Sequence, residues 1–240
     1  MVHEGKVAAN VSVNHMYFND HGKETYYIQL GTVMTEEAYR GRGLIRILME
    51  RIFVEYANKA EGIYLFANDS VLDFYPKFGF KKAWEYQYTK NVRATGEKSV
   101  TSVPMESGED FDNFEKGISG YRAYSSFYMD NIGLVMFYLT SFMKTSVYYV
   151  KEADAYVIAE AEEGELLIYE IFSKGSVDID EVIRAFGEGT CRVVLGFTPE
   201  GADGFEISGR REEDCTLFVR GKGFNGFSEE KKMFPLLSHA

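Results

Sequence analysis

The sequence predicts an α/β fold made of two successive α/β halves, and three observations carry that expectation. Runs of β-branched and aromatic residues alternate with an amphipathic helical stretch between Lys6 and Lys90. One of those runs ends in a loop with two glycines that passes straight into the helical stretch. Beyond a short polar linker, a second series of strand and helix signals repeats a similar order.

In the first half, Lys6–Phe18 and Thr25–Met34 read as strands, and Asn19-Asp20-His21-Gly22 between them is a hairpin signal. A helix follows over Gly43–Lys59, because Leu44, Ile47, Leu48, Ile52 and Tyr56 recur at helical spacing. Gly62 stops the helix and opens a strand at Ile63–Ala67. A short helix over Ser70–Phe78 leads through Gly79 into a last strand, Phe80–Lys90.

The polar stretch Arg93–Lys98 suits a linker and divides the chain into residues 1–92 and 99–240. The second half begins with a strand candidate at Val100–Met105, followed by two helical stretches over Gly108–Lys144. Strands are expected at Ser146–Lys151, Ala155–Glu160 and Glu165–Ile171, then a helix at Asp178–Phe186 and strands at Cys191–Phe197 and Thr216–Arg220.

Bulk composition narrows the function classes. Hydrophobic residues at 45% and charged residues at 26% are those of a soluble globular protein with a real core. A net charge of −11 argues against a nucleic-acid partner, which needs a basic face, and mildly favours cationic ligands. The two cysteines, Cys191 and Cys215, have neither metal-ligand spacing nor a disulfide framework, which fits a reducing cytoplasm; no metal is expected. The N-terminal residues lack a signal-peptide plan, and the apolar stretch Ile132–Met143 is too short for a membrane span.

The informative segment is Leu30-Gly-Thr-Val-Met-Thr-Glu-Glu-Ala-Tyr-Arg-Gly-Arg-Gly-Leu-Ile-Arg-Ile-Leu-Met49. A helix start presents unpaired N–H groups and the positive end of the macrodipole, so it suits a pyrophosphate. Gly41 and Gly43 let the backbone curl and approach an anion, while Arg40 and Arg42 add positive charge or else pair with surface carboxylates. The spacing does not match a P-loop. A dinucleotide-like pattern does occur at Gly221-Lys-Gly-Phe-Asn-Gly226, but no βαβ unit follows it, so it reads as a glycine-rich loop after a strand.

At this point the sequence resembles the GNAT superfamily. Ala38-Tyr-Arg-Gly-Arg-Gly43 is similar to the family's coenzyme-A signature, Q/R-x-x-G-x-G/A, with Ala38 departing at the first position. Asn68-Asp-Ser-Val-Leu-Asp-Phe-Tyr-Pro-Lys-Phe-Gly-Phe80 resembles a second family motif, with Val71 in place of a small alanine. The resemblance implies a GNAT-type mixed sheet flanked by helices, followed by a second, degenerate GNAT-like α/β domain. It implies acetyl-CoA as co-substrate, with Arg40, Gly41, Arg42, Gly43 and Leu44 at the pyrophosphate. The backbone of Val33, Met34 and Thr35 would hold the pantetheine and polarise the thioester carbonyl. Asn68 would hydrogen-bond the pantetheine arm, and Tyr75 would protonate the departing thiolate. Read from the residues alone, Tyr75 is equally an aromatic packing residue among Phe74, Phe78 and Phe80, and Asn68 a turn residue.

The general base is not identifiable. Glu36 and Glu37 precede a helix start, where carboxylates are also expected as dipole partners. His15 on the hairpin reads as a solvated or a hydrogen-bonded structural histidine, and the segment Phe234–Ala240 can bring a terminal carboxylate near the first half.

The family's fold normally begins with a strand and two helices that shape the acceptor site, whereas this chain opens at the hairpin. The second half, or a neighbouring subunit of a homo-oligomer, would take their place. Its loop Phe172–Asp178 has one glycine and no R-G-x-G, so coenzyme binding is not expected there. Tyr121, Tyr124, Phe127 and Tyr128, at helical spacings, either line the acceptor pocket or pack in the core. The expected function is therefore an N-acetyltransferase acting by direct attack of a small-molecule or peptide amine on acetyl-CoA. The alternative is a non-catalytic acyl-CoA-binding or sensing protein.

Overall fold

The computed structural model describes residues 1–239. A minor hairpin, β1 (Val2–His3) and β2 (Lys6–Val7), precedes the long hairpin of β3 (Ala9–Asp20) and β4 (Lys23–Thr35). The turn between β3 and β4 places His21 at φ 49° and Gly22 at φ 86°, the paired positive values a two-residue hairpin turn requires. Helix α1 (Leu44–Tyr56) buries Met49 and Ile52 against one face of the hairpin. β5 (Gly62–Ala67) then runs parallel to β4, in register from Tyr27↔Gly62 to Gln29↔Tyr64, after which the two strands part.

Two expectations for this half need correction. The Ser70–Phe78 segment forms two 3-10 turns, Asp69–Val71 and Tyr75–Phe78, rather than one helix. Pro76 has no N–H to offer the Leu72 carbonyl, so an α-helix cannot run through it. The Phe80–Lys90 strand breaks at Ala83-Trp84 into β6 (Lys81–Lys82) and β7 (Glu85–Asn91), which join different sheets.

The second half opens with β8 (Thr101–Ser102) and α2 (Gly108–Gly117), whose N-terminus is closed by a reciprocal Ser107–Asp110 capping box. The second helix expected before Lys144 is shorter than predicted. Residues 121–129 form β9 (Arg122–Ala123) and β10 (Ser125–Met129), and only α3 (Ile132–Ser141) is helical. Gly120 at φ 79° ends the turn after α2, and the aromatic and serine-rich run that follows finds pairing partners in both sheets. The meander β11 (Val147–Val150), β12 (Ala155–Glu162) and β13 (Glu165–Ser173) follows, then α4 (Ile179–Ala185) and β14 (Arg192–Leu195). β15 (Thr198–Pro199), β16 (Glu206–Arg210) and β17 (Thr216–Arg220) complete the strands.

The two large sheets interlock. The first has the order β15-β10-β3-β4-β5-β17-β6 and the second β16-β7-β14-β13-β12-β11-β8, with β9 attached to β13. Thus β7 leaves the first half to pair with β14 and β16, while β10, β15 and β17 come back from the second half. The sheets therefore do not divide at the Arg93–Lys98 linker.

Each sheet has a core on both faces. α1 covers one face of the first sheet, and the other is an aromatic layer in which Phe234 stacks on Tyr64 at 4.1 Å and Phe127 on Phe18 at 4.7 Å. Phe224, Phe227 and Phe234 of that layer all come from the end of the chain. In the second sheet α4 packs on one face, while α2 and α3 pack on the other with Leu237. α3 serves both lobes, since Leu134 meets the aromatic layer and Val135 and Leu139 face the second sheet.

Candidate coenzyme site

The site is built where β4 leaves β5. Beyond Gln29, β4 stays paired only with β3, and its register shifts from Ser12↔Gly31 to Asn10↔Met34. Two β4 residues, Thr32 and Val33, therefore face the single residue Val11: a β-bulge, with Thr32 at φ 47°. The bulge bends the strand end that carries Val33, Met34 and Thr35. Val33 packs toward the α1 core, whereas Met34 is exposed.

After Thr35 a single 3-10 turn, Glu37–Tyr39, leads into the glycine loop. Gly41 lies at φ 73° and Gly43 at φ 72°, and Gly43 is the N-cap of α1. A methyl group built on either glycine would meet nothing within 4 Å, so the left-handed backbone, not crowding, calls for glycine. No side chain caps α1, and its first free N–H groups point out of the helix end.

Thr35, Arg40, Gly41, Arg42, Gly43 and Leu44 line one cavity of about 320 Å³. Tyr39, Ile45, Arg46, Phe74, Lys77 and Phe78 line it too, Lys77 and Phe78 from the 3-10 turn that also carries Tyr75 and Phe74 from its N-cap. Arg40 Nε donates to the Thr35 carbonyl at 3.3 Å and Arg42 Nη2 to the Ala38 carbonyl at 3.1 Å, so both guanidiniums are held by the loop. The Arg42 guanidinium also lies over the Tyr39 ring at 5.0 Å, and that of Arg46 over Phe78 at 5.2 Å. Among the described residues none of Arg40, Arg42, Arg46 and Lys77 pairs with a carboxylate. Four cations and an uncapped helix end thus converge on one cavity, an arrangement that fits a polyanion such as a pyrophosphate.

Arg46 and Lys77 were not singled out from the sequence. Arg46 was readable in principle, because three residues after Gly43 is still the first turn of the helix. Lys77 reaches the cavity only through the fold of the 3-10 segment.

Asn68 stands exposed at the end of β5, and its side chain makes no capping bond to the turn it precedes. Tyr75 is 7% exposed, with its ring among Phe74, Phe218 and Phe80 at 5.3, 5.6 and 6.1 Å. Its hydroxyl makes no hydrogen bond among the described residues, and burial raises its pKa, so it is protonated at neutral pH. Tyr75 does not line the cavity itself, although its neighbour Phe74 does.

Glu36 and Glu37 are exposed and lie outside the cavity lining. His15 is exposed on the hairpin, hydrogen-bonded through Nδ1 with the Tyr26 hydroxyl at 2.5 Å. His239 stacks on Phe66 at 4.1 Å, bringing the end of the described chain onto the aromatic face of the first sheet; Ala240 lies outside the described residues.

The second lobe has the same strand plan but fills the corresponding space with protein. β13 and β14 are parallel from Glu165↔Arg192 to Ile168↔Leu195 and then part, and β9 pairs onto β13 beyond that point. The buried Glu170 carboxylate lies in this gap, accepting from Ser125 Oγ at 2.6 Å and from the N–H groups of Ile171 and Ser125 at 3.0 and 3.3 Å. The N-terminus of α4 is capped by the Asp178 side chain, which accepts from the Asp180 N–H at 2.8 Å. In the Gly221–Gly226 loop, a methyl group on Gly221 would sit 2.7 Å from Gly62 Cα, and one on Gly223 2.9 Å from the Tyr27 ring. Those glycines permit close packing at the start of β5.

Residues 1–83 match the family model described as acetyltransferase (GNAT) domain. No curated protein matches the chain. A solved GCN5-related N-acetyltransferase from Kribbella flavida is 16% identical with a TM-score of 0.58, the match covering 91% of this chain and 58% of that one. Eis1 from Mycobacterium abscessus is 15% identical with a TM-score of 0.55, covering 92% and 62% respectively. At these identities the likeness is one of fold, and this chain spans about three-fifths of the length of those structures. Residues 1–83 thus match a GNAT acetyltransferase domain, and the chain as a whole shares the fold of these solved acetyltransferase structures.

Proposed function

We propose that the first lobe binds acetyl-CoA and transfers its acetyl group to an amine by direct attack. The observation that carries this reading is the convergence of a helix end without a side-chain cap, two left-handed glycines and four cations that pair with no carboxylate among the described residues on one cavity beside the parted strands. Acetyl-CoA supplies an activated thioester and a pyrophosphate.

The loop Arg40–Gly43, with Leu44 opening the helix, holds the pyrophosphate. Arg46 and Lys77 neutralise its charge from the far wall. The bulged end of β4, Val33 to Thr35, offers backbone N–H groups to the pantetheine and to the thioester carbonyl. Such donors are worth roughly 3–4 kcal/mol when aimed at developing negative charge. Asn68, free of any capping bond, is available to the pantetheine arm. A held amine needs little more than position to attack a thioester. Tyr75, protonated and with its hydroxyl unengaged, delivers a proton to the leaving thiolate, a general-acid contribution of about 10²–10⁴-fold. The amine acceptor, a small molecule or a peptide, enters opposite the coenzyme.

The unengaged Tyr75 hydroxyl favours transfer over simple acyl-CoA sensing, since a sensor has no use for an acid. Tyr75→Phe tests this directly. The variant is expected to lower amine-dependent thiol release from acetyl-CoA by about 10²-fold or more with coenzyme affinity nearly unchanged. Unchanged turnover, or an equal loss of affinity, removes Tyr75 as the acid.

A further inference from the structure

The second lobe holds a cavity of about 390 Å³ between β13, the β9–β10 segment, the first turn of α3 and the segment at Pro235–Leu237. Its volume lies in the range of small-molecule sites. Tyr121, Tyr128 and Tyr169 line it. The Tyr121 hydroxyl is engaged by Asp154 at 2.6 Å and that of Tyr169 by Glu160 at 2.9 Å, so these two side chains offer the cavity mainly their rings, that of Tyr121 with Lys174 Nζ already 4.8 Å from its centroid.

Its charges are unbalanced. Glu115, Asp130 and Glu170 line it against one guanidinium, that of Arg122. None of the four forms an ion pair among the described residues. Glu170 is only 6% exposed and is held rigidly by the Ser125 hydroxyl and two backbone N–H groups. Burial favours the neutral form of Glu170, so an ammonium group placed beside it and Asp130 would stabilise the ionised carboxylate inside the aromatic-walled cavity. The position is also telling: β9 and Asp178 fill the coenzyme side of this lobe, while the side under α2 and α3 stays open.

We infer that this cavity binds an organic ammonium ligand with an apolar body, its cationic nitrogen between Glu170 and Asp130 and its body against the tyrosine rings. The site is formed wholly outside the coenzyme cavity, and the inference does not rest on acetyl transfer there.

Calorimetric titration with phenethylammonium tests it, alongside the neutral isostere 2-phenylethanol and the anion 3-phenylpropanoate, with and without coenzyme A. Wild type is expected to bind the ammonium at least tenfold more tightly than the alcohol and to bind the anion least. Glu170→Gln is expected to lose tenfold or more in ammonium affinity. Asp130→Asn, at the cavity mouth, is expected to lose at least threefold, and it decides the matter if the buried substitution does not fold. Gly43→Glu in the first lobe is expected to leave ammonium affinity unchanged. Equal binding of alcohol and ammonium, preferred binding of the anion, or unaltered affinity in Asp130→Asn would each overturn the inference. So would loss of ammonium binding in a folded Gly43→Glu variant, which would place the amine in the first lobe.

Discussion

Gly43 is where backbone geometry and charge can be separated by substitution. Its φ of 72° is left-handed, and any residue with a Cβ is strained there by about 1–2 kcal/mol. No atom lies within 4 Å of an added Cβ, so steric overlap adds nothing to that figure. Gly43→Ala and Gly43→Glu should therefore be destabilised alike, by about 1–2 kcal/mol. For a chain of this size that is a drop of about 2–8 °C in melting temperature. Binding should separate them. The added glutamate would lie against the uncapped end of α1 and within reach of Arg40, Arg42 and Arg46, where it competes with a pyrophosphate and repels it. Coenzyme A affinity should fall at least 100-fold in Gly43→Glu and far less in Gly43→Ala. Calorimetric titration of both folded variants, with their melting temperatures, reads out the two effects. Wild-type affinity in Gly43→Glu would refute the cradle. Unchanged stability in Gly43→Ala would refute the strain argument.

The remaining expectation concerns pH. Burial pushes the carboxyls of Glu85 and Glu170 up to about 7 from an ordinary 4.5, against the partial relief of the Phe234 N–H and Arg210 at Glu85 and of Ser125 at Glu170. Between those two pH values the folded chain holds protons that the unfolded chain has released, so each group's stabilising contribution is complete below pH 4.5 and is lost as pH rises through 7. Each loss amounts to about 3 kcal/mol at most, taking 1.36 kcal/mol for each pH unit of displacement. Urea denaturation at pH 5 and pH 8 should show Glu85→Gln gaining on wild type as pH rises. Parallel stability profiles for the two proteins would contradict the assigned protonation.

Local signals made the first half of the fold readable. The Asn19–Gly22 run and its alternating flanks announced a hairpin, and the glycine pair before Leu44 announced an open helix start; both carry the backbone angles such signals call for. The losses came where pairing over long distance outweighs local pattern. Phe80–Lys90 looks continuous because nothing nearby shows that β6 meets β17 while β7 meets β14. Tyr121, Tyr124, Phe127 and Tyr128 are spaced as well for a helix as for an extended segment; Phe127 and Tyr128 are strand residues through their partners in β3, while Tyr121 and Tyr124 flank the short β9 that pairs with β13. Phe127 proved to be core, whereas Tyr121 and Tyr128 line the second cavity. β16 has no apolar alternation to betray it, since it is an edge strand exposed along nearly its whole length. In the candidate coenzyme cavity the loop residues follow from their own spacing, while Lys77 depends on where Pro76 sends the 3-10 turn.

The central claim is that the first lobe is a working acetyl-CoA site, and calorimetric titration of the chain with acetyl-CoA tests it most directly. The account predicts saturable binding at one site per chain that weakens as ionic strength rises, because cations and a helix end provide much of the attraction. Absence of binding at low salt, in a chain shown to be folded, would contradict it.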